Sequence, residues 1–274
     1  MRSFLFKKNF RGYTMFLRVI SSFLFFFAEN IREVNLIIEQ GNTSSKVAVY
    51  KNGHIEASFV YKQFGVSVVA ALFEKYAFTQ GILSTVIDTD DELIAYLKNK
   101  LQRFVFLDEH VALPIKEYGT PKTLGKDRLA AVVGANYLRP GKNLLVIDAG
   151  TAITYEVIEA PGIFLGGNIS PGMTTRFRAL NHFTKKLPLV TEEDDIPLIG
   201  RSTETAIQAG VVNGIVYEMD GYIDELKVKY PDLLVFLTGG HSFYFERRLK
   251  NSIFADINLV LTGLNRILEY NVEN

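Results

Sequence analysis

Short apolar runs, each closed by a polar turn carrying glycine, set the rhythm of this chain from Val34 onward. The stretch VNLIIEQGNTSSKVAVYKNGHIEASFVY, residues 34–61, holds three of them. Runs rich in branched and aromatic residues and bounded by Gly, Asn and Ser read as strands, and Asn52-Gly53 is a two-residue hairpin signal. The pattern predicts a three-stranded meander: a strand leading into Glu39 and Gly41, a second from Lys46 to Tyr50, and a third after Gly53.

The same rhythm returns at Asn143, in NLLVIDAGTAITYEVIEAPGIFLGGN. Laying Glu39 on Asp148 also lays Gly41 on Gly150 and Gly53 on Gly162 without a gap, and Ile37-Ile38 on Val146-Ile147. Strand, acid-x-Gly-hydroxyl turn, strand, glycine turn and strand therefore occur twice, the mark of a duplicated unit. Helical spacing of apolar residues fills the intervals: VSVVAALFEKYAF, DDELIAYLKNKLQ with Asp90 and Asp91 at its start, and DRLAAVVGANYL, ended before Pro140. A longer helix is expected over TETAIQAGVVNGIVYEMDGYIDELKVKY, where Gly210, Gly214 and Gly221 permit close packing or a break. LLVFLTGG reads as a further strand before a terminal helix. Strands followed by helices in each half give an α/β fold duplicated once, with halves over residues 34–147 and 148–274.

Residues 1–33 differ in kind. They are basic and aromatic, with an apolar run from Val19 to Ala28 broken at Ser21 and Ser22. That run is too short to span a bilayer, and no small-x-small cleavage site follows it. A misplaced start ahead of Val34 accounts for the segment better than a signal peptide or interfacial anchor, and it is expected to stand outside the fold.

Composition narrows the function. Thirty basic and thirty acidic residues give zero formal charge, which removes the general attraction to nucleic acid or anionic membrane. Small-molecule partners and no nucleic acid or membrane are expected. The absence of cysteine excludes disulfides and thiolate metal sites and fits a cytoplasmic protein. His54, His110, His182 and His241 lack metal-ligand spacing.

Two acid-Gly-hydroxyl hairpins suit a triphosphate. Glycine admits an anion close to the backbone, amides and hydroxyls donate to its oxygens, and an acid holds a charge-offsetting cation. GTPKTLGKD is no Walker loop: five residues separate its glycines and Asp127 stands where Ser or Thr is needed. Within it, Asp127 opens a helix whose free N–H groups favour negative charge, a good position for accepting a hydroxyl proton. Arg128 offers a fork for a carboxylate.

From Val34 on, the ordered motifs resemble those of type III pantothenate kinases, members of the actin-like (ribonuclease H-like) ATPase superfamily. Glu39-Gln40-Gly41-Asn42-Thr43 stands at the family's Asp-x-Gly-Asn-Thr, and Gly125-Lys126-Asp127-Arg128 at its Gly-x-Asp-Arg, preceded by Tyr118 and Pro121. Asp148, Gly150 and Thr151 match the second phosphate motif; GGNISPG, STETAIQAG and LTGG complete the order.

The resemblance implies two similar halves with a nucleotide cleft between them, and ATP-dependent phosphorylation of pantothenate to 4′-phosphopantothenate, the entry to coenzyme A. It implies that Glu39, Gln40, Gly41, Asn42, Thr43, Ser44, Ser45, Lys46 and Thr151 bind ATP, with Gly239 and Gly240 near the nucleoside. Asp127 would accept the pantothenate hydroxyl proton, and Tyr118, Gly125, Lys126, Arg128 and Thr203 would line the pantothenate site. Asp148 would hold a monovalent cation, K⁺ or NH₄⁺, beside the Mg²⁺ that accompanies ATP. Members are homodimers with the pantothenate pocket near the subunit interface. Two other readings share the motifs: an actin-like kinase with a different acceptor, and a non-catalytic regulator like the Bvg accessory factor proteins. The departure that bears on them is Glu39, where the family has Asp.

Overall fold

The computed structural model describes residues 34–88, 90–116 and 124–273. Residues 1–33, Tyr118 and Pro121 lie outside them. Branched residues form the predicted meander, β1 (Val34–Gln40), β2 (Ser45–Lys51) and β3 (His54–Tyr61). Asn52 and Gly53 take positive φ values of 54° and 74°, as the two-residue turn requires. Helix α1 (Val66–Phe73), β4 (Gln80–Thr85), α2 (Asp91–Lys100) and β5 (Arg103–Phe106) complete the first half. The sheet order is β3-β2-β1-β4-β5, with β1, β4 and β5 parallel.

After α3 (Lys126–Leu138) the scheme repeats. Strands β6 (Leu144–Ala149), β7 (Ala152–Glu159) and β8 (Ile163–Pro171) form the second meander. Helices α4 (Met173–Phe183) and α5 (Thr203–Lys229) lead to β9 (Leu234–Thr238), α6 (Ser242–Glu246), β10 (Phe254–Ala255) and α7 (Leu259–Glu273). The second sheet, β10-β9-β6-β7-β8, has the order of the first. Even an irregularity recurs: the pairing slips between Val49 and Tyr50 in β2, and between Val157 and Ile158 in β7.

The gap-free match of acids and glycines conceals two compensating changes. Residues 41–44 separate β1 from β2, but only residues 150–151 separate β6 from β7; the second turns are residues 52–53 and residues 160–162. Glu39 accordingly pairs with Lys46, whereas Asp148 pairs with Thr154. One residue lost from the ladder's first turn is regained at its second.

Strand alternation sorts the core into layers. Leu36, Ile38, Val47, Val49 and Leu83 face α1 and α2, while Ile37, Ala48 and Ile82 face the centre. In the second sheet Leu145 and Ile147 face α4 and α5, while Leu144, Val146 and Phe236 face the centre. The central layer is α3 and α7. Their backbones touch where a Cβ on Gly263 would fall 1.7 Å from the Ala130 carbonyl oxygen, and one on Gly134 would fall 2.3 Å from that of Leu259. The two sheets are thus joined through one tight helix crossing.

Strands β4, β5 and β10 were absent from the sequence pattern. β4 is a six-residue run buried at every position, which carries no alternation to reveal it, and β10 has two residues. Helix α1 stops at Phe73 although apolar spacing continues to Phe78, because Tyr76 and Phe78 fold back into an aromatic cluster with Phe73. Helix α5 runs unbroken, and a Cβ at Gly210, Gly214 or Gly221 would meet nothing within 4 Å. Those glycines do not serve packing within the chain.

Candidate active site

The first hairpin places Glu39 one residue before the end of β1, opposite Lys46 on β2. Their side chains form an ion pair at 3.7 Å, the Lys46 ammonium against Glu39 Oε2. Beyond them the ladder closes with Gln40 and Ser45, both buried, and the tip is Gly41 to Ser44, with Asn42 and Thr43 exposed. The Gly41 amide donates to the Ser44 carbonyl at 3.0 Å, so it closes the turn rather than facing outward. The exposed tip residues are the ones open to a ligand.

The second hairpin is tighter and more enclosed. Its Gly150 amide donates to the Ala152 carbonyl at 3.0 Å, and the Thr151 carbonyl accepts from the Gly172 amide and the Thr175 hydroxyl. On the other side the His241 amide donates to the Ala149 carbonyl, and Gly239, at φ 93°, abuts Asp148. A Cβ on Gly239 would lie 2.4 Å from Asp148 Oδ1. Thus the Pro-Gly start of α4 and the LTGG turn clasp this hairpin from two sides. At Gly41 and Gly150 themselves a Cβ would come no closer than 3.2 Å and 3.5 Å to its neighbours. At Gly41 the contact with the Ser44 carbonyl oxygen is already tight, whereas at Gly150 the chain's own packing does not demand glycine and an anion approaching the backbone would.

The third component is the start of α3. Gly125 precedes the helix, and a Cβ on it would fall 2.6 Å from Asp127 Oδ1. That oxygen accepts from the Arg128 amide at 2.8 Å, which fixes the carboxylate at the first turn. Lys126 turns away, its ammonium 4.9 Å from the centre of the Phe106 ring.

These elements share one electrostatic neighbourhood. Burial pushes the Glu39 carboxyl up; Lys46 opposes the shift, and Asp127 adds to it. Asp148 is pushed up to about 7, first by burial, against the pull of Lys46, with Glu39, Asp127 and Glu156 adding. Four carboxylates, Glu39, Asp127, Asp148 and Glu156, thus face two cations, Lys46 and Arg128. Lys46 pairs with Glu39 and Arg128 with Glu156, and Asp127 and Asp148 are left without a paired cation. Buried Oε2 of Glu39 lacks a hydrogen-bond partner. A cation arriving with phosphates fits this donor set. Among the described residues no three His, Asp or Glu side chains form a protein-only metal cage.

Arg128 departs from the picture of a free fork. Its Nε donates to Glu156 Oε1 at 2.5 Å and its Nη2 to Oε2 at 2.9 Å, so one edge of the guanidinium is occupied within the chain. Glu156 had not been picked out by sequence reasoning, although a lone acid inside the apolar run of β7 was a legible signal. Thr203, the first residue of α5, lies elsewhere: it lines a cavity of about 690 Å³ between α4 and α5 with Arg176, Leu180, Leu187 and Ile207. None of the four clustered acids lines it.

The family model for type III pantothenate kinase matches residues 35–225. A type III pantothenate kinase of Phocaeicola vulgatus is 48% identical over 239 residues, covering 87% of this chain and 99% of that protein. One from Bacteroides fragilis strain YCH46 is 50% identical, covering 87% and 98%. Among solved structures, a conserved Campylobacter jejuni protein provisionally assigned to the Baf family of transcriptional activators superposes with a TM-score of 0.55 at 22% identity, covering 87% of this chain and 100% of that one. A Sinorhizobium meliloti protein provisionally assigned as a 2-dehydro-3-deoxygalactonokinase gives 0.53 at 10% identity, covering 86% and 98%. At such identities the structures speak for fold alone.

Proposed function

The chain belongs to the type III pantothenate kinase family, and from that premise we propose how its two hairpins and α3 divide the work. The reaction is transfer of the γ-phosphoryl group of ATP to pantothenate, giving 4′-phosphopantothenate for coenzyme A synthesis. The observation that carries the assignment of roles is the convergence of Glu39, Lys46, Asp127 and Asp148 from three separate segments into one charged cluster.

Phosphoryl transfer passes through a loose transition state, so the protein's task is positioning and charge stabilisation. The exposed tip Asn42–Ser44 and Thr151 hold the phosphates from opposite sides, and Lys46 offsets their charge. Glu39 would hold the Mg²⁺ that travels with ATP, an ion that would offset phosphate charge there. Asp148, the acid without a cation of its own, would hold the monovalent ion. Gly239 and Gly240 border the nucleoside. Asp127 receives the hydroxyl proton of pantothenate and aims the oxygen at phosphorus, while Arg128 presents its remaining N–H groups to the substrate carboxylate.

Two further features belong to this reading. Along α5 exposed Gly210, Tyr217, Gly221 and Val228, with half-buried Gly214 among them, follow the spacing of a helix–helix seam, Tyr217 being 61% and Val228 84% exposed. A second copy packs there, making a homodimer that brings Thr203 to the pantothenate site. No helix among the described residues is long and apolar enough to cross a membrane.

The direct test incubates the protein with MgATP, KCl and pantothenate, follows ADP and identifies the product by mass spectrometry. Phosphopantothenate formed in step with ADP is expected; ATP turnover with other alcohols but none with pantothenate would refute it.

A further inference from the structure

Arg128 is expected to read the substrate, yet two of its five N–H groups are committed elsewhere. Glu156 sits on the inner face of the second sheet, 0% exposed, opposite Gly167 on β8. Its two oxygens take the Nε and one Nη2 hydrogen of Arg128, leaving three of five guanidinium N–H groups. Space for that carboxylate comes from Gly167: a Cβ there would stand 2.4 Å from Glu156 Oε2 and 2.0 Å from the Tyr155 carbonyl oxygen. The second glycine of the Gly166-Gly167 pair is thereby explained from within the chain.

A carboxylate so enclosed does not tolerate losing its partner, since an uncompensated buried charge is strongly destabilising. Arg128 is therefore pinned beside Asp127. We propose that Glu156 is a positioning residue for pantothenate: it fixes the Arg128 guanidinium by one edge, so that the other edge is presented to the substrate carboxylate in one orientation. The inference rests on the kinase reading above. Glu156 acts through Arg128 and touches no substrate. The pair is neutral as a unit, so recognition depends on the direction of N–H groups more than on free positive charge, and geometry is what a change at Glu156 should disturb.

Steady-state kinetics on the full chain decide it. Glu156→Asp keeps the charge but draws the fork back by one methylene. The expected result is a KM for pantothenate raised about tenfold, the scale of one misplaced charge-assisted hydrogen bond, with a smaller loss in kcat and little change in the KM for ATP. The increase should vanish for the analogue in which a hydroxymethyl group replaces the carboxylate. It should shrink also in an Arg128→Lys background, which leaves Glu156 a cation but no fixed fork, because the effect travels only through the guanidinium. Should Glu156→Asp not fold, judged by thermal melting, Glu156→Gln is held to the same criteria. An unchanged pantothenate KM, an equal rise in the KM for ATP, or an effect undiminished in the Arg128→Lys background would each overturn the inference. A wild-type protein that forms no ADP with pantothenate defeats the kinase reading instead; the inference falls alone when an active wild type shows no such split.

Discussion

The two hairpins share a backbone plan but carry unlike charge environments. Glu39 has its own cation in Lys46, 3.7 Å away, and stands at the base of an exposed tip. Asp148 pairs across the strand with Thr154, lies against Gly239, and is held at a pKa of about 7 by burial and neighbouring acids. The fold carries one hairpin plan twice, and the copies differ in tip length, acid and strand partner. In the first hairpin the acid is matched by a cation within the same ladder. The second carries an acid that has no cation partner of its own and that burial drives toward its neutral form.

The largest expected effect lies at the residue that belongs to neither hairpin. Asp127 acts on both Glu39 and Asp148, and Asp127→Asn should lower kcat by about 10²-fold or more with the fold intact, the scale of a positioned proton acceptor. Near-normal turnover would remove Asp127 from the reaction. Next comes the clasp peculiar to the second hairpin. Gly239→Ala forces a side chain onto Asp148 at positive φ, and should cost about 2–3 kcal/mol of stability together with activity. A variant with wild-type melting and turnover would show that the clasp is loose.

At the first hairpin a smaller change is expected. Glu39→Gln should reduce kcat by about tenfold and raise the Mg²⁺ requirement, with the KM for pantothenate little altered. Glu39→Asp, the residue usual in the family, separates two possibilities: a gain marks Glu39 as tolerated, and a tenfold loss marks a site adapted to the longer side chain. The smallest effect is on stability against pH. Both acids have folded-state pKa values raised above their ordinary ones, so the native state without ligands holds more protons than the unfolded chain through the acidic range. Stability contributed by protonated Asp148 should be present below about 4 and decline as pH rises toward 7. Chemical denaturation across that range should show the decline in wild type and a weaker one in Asp148→Asn.

Much of this was legible in the chain, for reasons that particular residues make plain. Alternating apolar positions and Asn52-Gly53 revealed the meander, and the paired acids and glycines revealed its repeat. β4 and β5 escaped because a wholly buried or very short strand has no period to detect. The compensating one-residue changes at residues 150–151 and 160–162 escaped because they cancel between the aligned glycines. Asp127, Glu39 and Asp148 could be selected as candidates, but their joint electrostatics required the fold. Glu156 was passed over since its meaning depends on Arg128 and Gly167, which neighbour it only in space.

The division of labour between the hairpins is tested most directly by titrating activity with KCl at fixed MgATP and pantothenate, in wild type, Asp148→Asn and Glu39→Gln. The account predicts K⁺ activation in wild type, retained in Glu39→Gln with a higher Mg²⁺ requirement, and lost in Asp148→Asn. Equal loss of K⁺ activation in both variants, or full activation in Asp148→Asn, would contradict it.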